Sequence, residues 1–149
     1  MTPEENKLFM RRFVEETINR RNLDALNELV AENFIEQVPF PGQGPGRDGL
    51  RYALGMFLSA FPDIQWIVDE QIAEGEKVVS RFTWTGTHRG EFLGIPPKGK
   101  RVKVWGVVMD VVSDGMLSES RIIMDTTGLL QQLGAIPAPI DLCINNATS

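Results

Sequence analysis

The sequence is short of the side chains that most often do chemistry. Its 149 residues hold one cysteine, one histidine and one tyrosine. A lone cysteine, Cys143, excludes an intrachain disulfide, so nothing ties the chain to an oxidising compartment. One histidine and one cysteine cannot build a zinc site without carboxylates, and no metal is expected. There is no Gly-x-Ser-x-Gly elbow. The segment GQGPG precedes a helix and lacks the GK[ST] of a nucleotide-binding loop. No run approaches the roughly 18 apolar residues of a membrane span. Acidic residues outnumber basic ones, 20 to 15, and the net charge of −5 is the wrong sign for a nucleic-acid partner. The one basic cluster, Lys98–Lys103, reads as a solvated loop edge. The first twenty residues read as a charged amphipathic helix, not a signal peptide, so the cytoplasm is the expected location.

What remains is an ordinary globular composition, 42% hydrophobic, in a chain of one-domain length. Thr2-Pro3-Glu4-Glu5 forms a capping box, and Phe9, Met10, Phe13, Val14 and Ile18 follow as a helical stripe. Asn22 can cap a second helix, Leu23 to Val30. Phe34 to Val38 is a short extended piece, and Pro39–Gly49 is a loop. Asp48 can cap a third helix, with Leu50, Leu54, Phe57 and Phe61 on one face, ended by Pro62. The period then falls to two. Ile64, Trp66 and Val68 alternate; Lys77–His88, Val102–Val112 and Met116–Met124 are strands, the last two joined by a Ser113-Asp114-Gly115 turn. Thr126 opens a last short helix that Gly134 stops. Helices first and antiparallel strands after them predict an α+β fold. A domain over residues 1–134 and a C-terminal arm over 135–149 are expected.

Two stretches carry a family resemblance: DGMLSESRIIMDTTGLLQQLG (Asp114–Gly134) and GTHRGEFLGIPPKGKRV (Gly86–Val102). With them, the chain from about Glu5 to Gly134 resembles the SnoaL-like polyketide cyclases of the NTF2-like superfamily. The resemblance implies a cone: a strongly curved antiparallel sheet wrapped around three N-terminal helices, with a short C-terminal helix and an apolar pocket. It implies acid–base chemistry without a cofactor, namely an aldol cyclisation or isomerisation of an apolar, polyketide-like or cyclic oxygenated small molecule. It also implies a homodimer through the convex sheet face. Both faces of Val102–Val112 are apolar, so something must cover the outer one; the alternative cover is the C-terminal arm.

The resemblance implies that relatives often carry a histidine and an aspartate on the last strand, the aspartate removing or relaying the proton and the histidine helping. Aligned on Asp114, Gly115, Glu119 and Asp125, this chain has Ser120 and Ile122 there, with Val108 facing them from the neighbouring strand. Gln37 stands where a histidine is common in the superfamily. Two catalytic candidates are left. His88 ends the long strand and titrates near neutrality; it is either a pocket-mouth base or a loop anchor. Asp110 shares a strand face with Val104 and Val108; it is either a buried base with a raised pKa or a solvated strand end. Glu36 and Gln37 belong to the pocket rim, and Tyr52, Met56, Trp66, Trp84 and Met124 are candidate apolar walls. Glu119 and Arg121, two apart on one strand face, read as an ion pair. Two other functions stay open: a non-catalytic small-ligand-binding domain, and epoxide hydrolysis of the Asp/Arg kind.

Overall fold

The computed structural model describes residues 1–137. Most of the expected C-terminal arm, with Cys143, lies outside the described residues. The capping box forms as read: the Thr2 hydroxyl accepts from the Glu5 amide, and the Glu5 carboxylate accepts from the Thr2 amide. It opens α1 (Pro3–Phe13), which runs into a wider π-turn over Val14–Asn19. That turn is pinned to the sheet by Asn19, whose side chain accepts from the Trp66 amide at 2.7 Å and donates to the Trp66 carbonyl at 2.9 Å. An amide side chain thus occupies hydrogen-bonding groups of an edge strand that would otherwise be free to pair with another chain.

Two helix boundaries differ from the sequence reading. The second helix is a single 3-10 turn (Leu23–Ala25) leading into a short α2 (Leu26–Leu29). Val30, expected in it, already belongs to a strand; its β-branched side chain favours that state. The third helix, α3, spans Gly46–Ala60 and starts two residues before Asp48. Asp48 does not cap it but pairs with Arg51 one turn on, at 2.8 Å. Gly49 permits the early start, because a Cβ there would lie 1.7 Å from the Gly44 carbonyl oxygen. The loop folds tightly back onto the first turn of α3 as a result.

Five strands follow: β1 (Val30–Glu36), β2 (Gln65–Glu74), β3 (Lys77–Thr87), β4 (Arg101–Ser113) and β5 (Met116–Met124), and then α4 (Thr126–Gln132). They form one sheet in the order β1-β5-β4-β3-β2. The meander β2 to β5 is antiparallel, as expected. The extended piece becomes a full strand, β1, which pairs parallel with β5. The β4–β5 hairpin turns at Asp114 and Gly115, both at positive φ, the twist that matches two-residue hairpins.

Alternation holds along β3 and β4. Val78, Ser80, Phe82 and Trp84 point inward on β3; Val102, Val104, Gly106, Asp110 and Val112 do so on β4. Gly106 lets the sheet bend sharply. A Cβ there would come within 2.5 Å of the Phe82 ring and 2.5 Å of the Ile123 carbonyl. A bulge interrupts β5: Val112 faces Leu117, but Val111 faces Glu119, leaving Ser118 unmatched. Such an extra residue bends its strand and resets which side chains point inward. Leu117 and Ser120, three apart, are therefore both buried. The helices fill the concave side of the sheet. Among the described residues, no helix is long and apolar enough to cross a membrane.

Candidate active site

A cavity of about 90 Å³ lies between α1, the π-turn, α3 and the concave sheet face. That exceeds the ~10–15 Å³ needed for one water several times over. Most of its wall is hydrocarbon: Met10, Phe13, Ile18, Leu54, Phe57, Trp66, Val108, Ile122 and Met124 among others. Five polar side chains break that wall: Glu36, Gln43, Ser80, Asp110 and Ser120. A second, outer cavity of about 270 Å³ adjoins it. The two share Phe40, Ile122 and Met124.

Asp110 is the buried carboxyl on the wall. It is 2% exposed, and its Oδ2 has no hydrogen-bond partner. Burial pushes its carboxyl up to about 7, the nearby Glu36 charge adds to that, and the Ser120 hydroxyl opposes it. A buried carboxylate without a cation is costly, so it holds its proton into the neutral range. Glu36 lies two strands away, opposite Ser120, which in turn lies opposite Asp110. Burial raises the Glu36 pKa too; the Val38 and Ile122 amides, the Ser120 hydroxyl and the Arg121 charge pull the other way. Its Oε2 accepts from Val38 N–H at 3.0 Å and Ile122 N–H at 3.3 Å.

Two donors complete the polar set, and the sequence reading had neither. Gln43 is held by its own loop: its amide oxygen accepts from Phe40 N–H at 3.0 Å, which leaves its NH2 free to donate. Ser80 accepts from Gln71 Nε2 at 3.4 Å, so its hydroxyl proton remains available. The signal for Ser80 was present: it is a hydroxyl on the inward parity of a strand otherwise filled by Val78, Phe82 and Trp84. Gln43 sits in a Gly/Pro loop with no period to read.

The sequence candidates separate clearly. Asp110, Glu36, Trp66, Val108, Ser120, Ile122 and Met124 all line the inner cavity. Val108 and Ile122 are register partners, as expected. Gln37, Tyr52, Met56, Trp84 and His88 do not line it. Gln37 alternates outward from Glu36 and is exposed, its amide donating to the Ser120 carbonyl. Tyr52 is exposed over Gly42, on the side of α3 away from Leu50, Ala53 and Phe57. Met56 packs against the core beside that face. Trp84 has inward parity, but Phe57 and Phe61 cover it at ring-centroid distances of 5.7 and 4.9 Å.

His88 is fully buried away from the cavity. Its Nδ1 accepts from Lys98 N–H at 3.1 Å, and its ring lies 5.5 Å from that of Phe61. Its backbone pairs with Lys100 and Gly99. Burial lowers its pKa, with the Lys98 charge contributing. This is the loop-anchor alternative. Arg121 is exposed, and among the described residues it makes no ion pair with Glu119.

The sequence matches SnoaL-like polyketide cyclase over residues 9–133. None of the curated proteins matches it significantly. Among solved structures, TsrD from Streptomyces laurentii is 28% identical, with a TM-score of 0.82 over 91% of this chain and 99% of that one. AclR, a candidate hydroxylase from Streptomyces galilaeus, is 26% identical, with a TM-score of 0.83 over 99% and 92%. IdmH, a candidate polyketide cyclase from Streptomyces antibioticus, is 29% identical, with a TM-score of 0.73 over 90% and 99%. The architecture is the NTF2-like α+β cone.

Proposed function

Because the chain belongs to the SnoaL-like polyketide cyclase family, we propose that it is a cofactor-independent acid–base catalyst for an apolar, polyketide-like or cyclic oxygenated molecule, with Asp110 as the base. One observation carries this reading: an unpartnered, fully buried carboxylate oxygen on the wall of a hydrocarbon cavity. A general base works best when its pKa lies near the working pH, and burial brings Asp110 there.

The reaction follows from the groups present. Asp110 takes a proton from the carbon beside a ketone, and the C–H electron pair moves onto the carbonyl oxygen. Ser80 and Gln43 are the neutral donors that can meet that developing charge. The enolate carbon then attacks a second carbonyl of the same molecule, and Asp110 returns its proton to the new alkoxide. Protonation at a different carbon instead gives an isomerisation. Neither route consumes a cofactor. Asp110→Asn keeps the shape and removes the base. Turnover should vanish while affinity for an apolar ketone, followed by calorimetry, is kept; unchanged turnover would rule the reading out.

Ser120 and Ile122 favour a second reading, a ligand-binding domain without catalysis, because neither is a base near neutral pH. It predicts ligand binding with no turnover in the wild-type chain. No cationic side chain among the described residues lines the cavity, so an Asp/Arg epoxide opening has no support in it.

We also propose a homodimer through the convex, outer sheet face. Ile67, Trp105, Met109 and Ile123 are exposed there, Trp105 by 54%. Exposed apolar side chains gathered on one sheet face favour an interface there. Trp105→Arg should convert a dimer to a monomer in sedimentation; a monomeric wild type would rule the pairing out.

A further inference from the structure

A base sealed behind hydrocarbon that holds a proton at rest needs a route by which to exchange it with solvent. On the helix side the cavity is lined by Met10, Phe13, Leu54 and Phe57, none of which can pass a proton on. The sheet offers a way out. Glu36, Ser120 and Asp110 hold matched register positions on β1, β5 and β4, and all three line the cavity. Matched side chains on adjacent strands stand about 5 Å apart at Cβ. Ser120 is buried between the two carboxyls, and a hydroxyl can accept and donate at once. Glu36 is only half buried, at the strand end where the chain leaves the sheet. Its Oε2 is held by the Val38 and Ile122 amides, which leaves Oε1 for exchange.

We infer that Glu36 and Asp110 share a single proton through Ser120, and that Glu36 exchanges with solvent the proton that Asp110 holds at rest, leaving the carboxylate that begins a turnover. The inference rests on the reading of Asp110 as the base. In the relay, protonated Asp110 gives its proton to the Ser120 oxygen while the Ser120 proton moves to the Glu36 carboxylate. Asp110 is again a carboxylate, Ser120 is unchanged, and Glu36 releases the proton to water. Only O–H bonds change, so no further reactant is needed. Glu36 touches no reacting carbon and acts as a positioning residue. Among the described residues lining the cavity, no other titratable side chain faces the pair; Arg121 acts on Glu36 from the outer side of β5. The Glu36 charge disfavours ionisation of Asp110, the coupling that a shared proton requires.

The rival is a purely structural Glu36 that only fastens two amides. Glu36→Gln separates them, since its amide oxygen still accepts from Val38 and Ile122 but carries no proton. The full chain, 13C-labelled at Asp and Glu carboxyls, is titrated by NMR. In wild type, Asp110 and Glu36 should report the same two steps. In Glu36→Gln, Asp110 should titrate in one step with its proton affinity at least about tenfold lower. An Asp110 curve unmoved by Glu36→Gln overturns the shared proton.

Alongside, α-proton exchange of 2-tetralone is followed in D2O. Glu36→Gln and Ser120→Ala should each slow solvent deuterium uptake about tenfold or more, with Ser120→Thr restoring it. If Asp110→Asn abolishes exchange and Glu36→Gln leaves it intact, the relay falls and the base stands. If Asp110→Asn leaves exchange intact, or wild type shows none above buffer, the base falls and takes the relay's purpose with it.

Discussion

Asp110 and His88 are both fully enclosed titratable groups, each with one unpartnered polar atom, and burial moves each toward its neutral form. They differ in what surrounds that atom. The Asp110 oxygen borders open volume and faces a second carboxyl across a hydroxyl. The His88 ring is filled in by Phe61, and its other nitrogen holds the Lys98 amide. A shifted pKa therefore does not identify a reactive group; access to empty space does. The two side chains also pull stability in opposite directions with pH.

Removing the reactive member of this pair should give the largest effect. Asp110→Asn is expected to cut turnover by about 10²–10⁴-fold while melting no lower than wild type at pH 8, where the native aspartate is charged and buried. A melt that falls along with activity would move Asp110 into the same class as His88.

Next in size is the pH dependence of folding. Asp110 binds its proton more tightly folded than unfolded, so the folded state holds the extra proton between the ordinary 3.8 and about 7. Stability from this group must fall as pH rises through that window, by about 4 kcal/mol at most. His88, its pKa lowered, gives the reverse slope: the unfolded chain takes the proton first on acidification, so stability rises with pH up to the ordinary value of 6.5. Chemical denaturation across pH should show Asp110→Asn removing the downward slope and His88→Phe removing the upward one.

His88→Ala should cost about 1–3 kcal/mol in a denaturant melt, from the orphaned Lys98 amide and lost packing on Phe61. Its turnover per folded molecule should stay that of wild type. Smallest of all, the rate should rise with pH with a midpoint at about 7, unchanged in His88 variants; a midpoint that follows His88 would reverse the comparison.

Much of this contrast could be read before the fold was known. Parity along Val104–Asp110 puts Asp110 beside Val108, and alternation separates Ser120 and Ile122 from Arg121. Periodicity also shows the helical face of Leu50, Leu54 and Phe57. It fails where a third dimension decides. Trp84 has the right parity, but α3 lies over it. Tyr52 and Met56 are apolar enough for the core, yet Tyr52 points away from the buried face of their helix and Met56 only borders it. The parallel pairing of β1 with β5 joins residues more than eighty positions apart, so no local pattern shows that Glu36 and Asp110 flank one serine. Gln43 is fixed by a loop hydrogen bond to Phe40, which leaves no trace in composition.

The unmatched Ser118 has an evolutionary consequence. Had β5 kept strict alternation from Leu117, the interior would have received Glu119, Arg121 and Ile123 in place of Ser120, Ile122 and Met124. One inserted amino acid thus chooses between a lining of opposite charges and a lining of oil with a lone hydroxyl. A lineage of such vessels could exchange what this strand shows to the inside and to the outside by a single three-nucleotide gain or loss near this hairpin, leaving every codon downstream as it was.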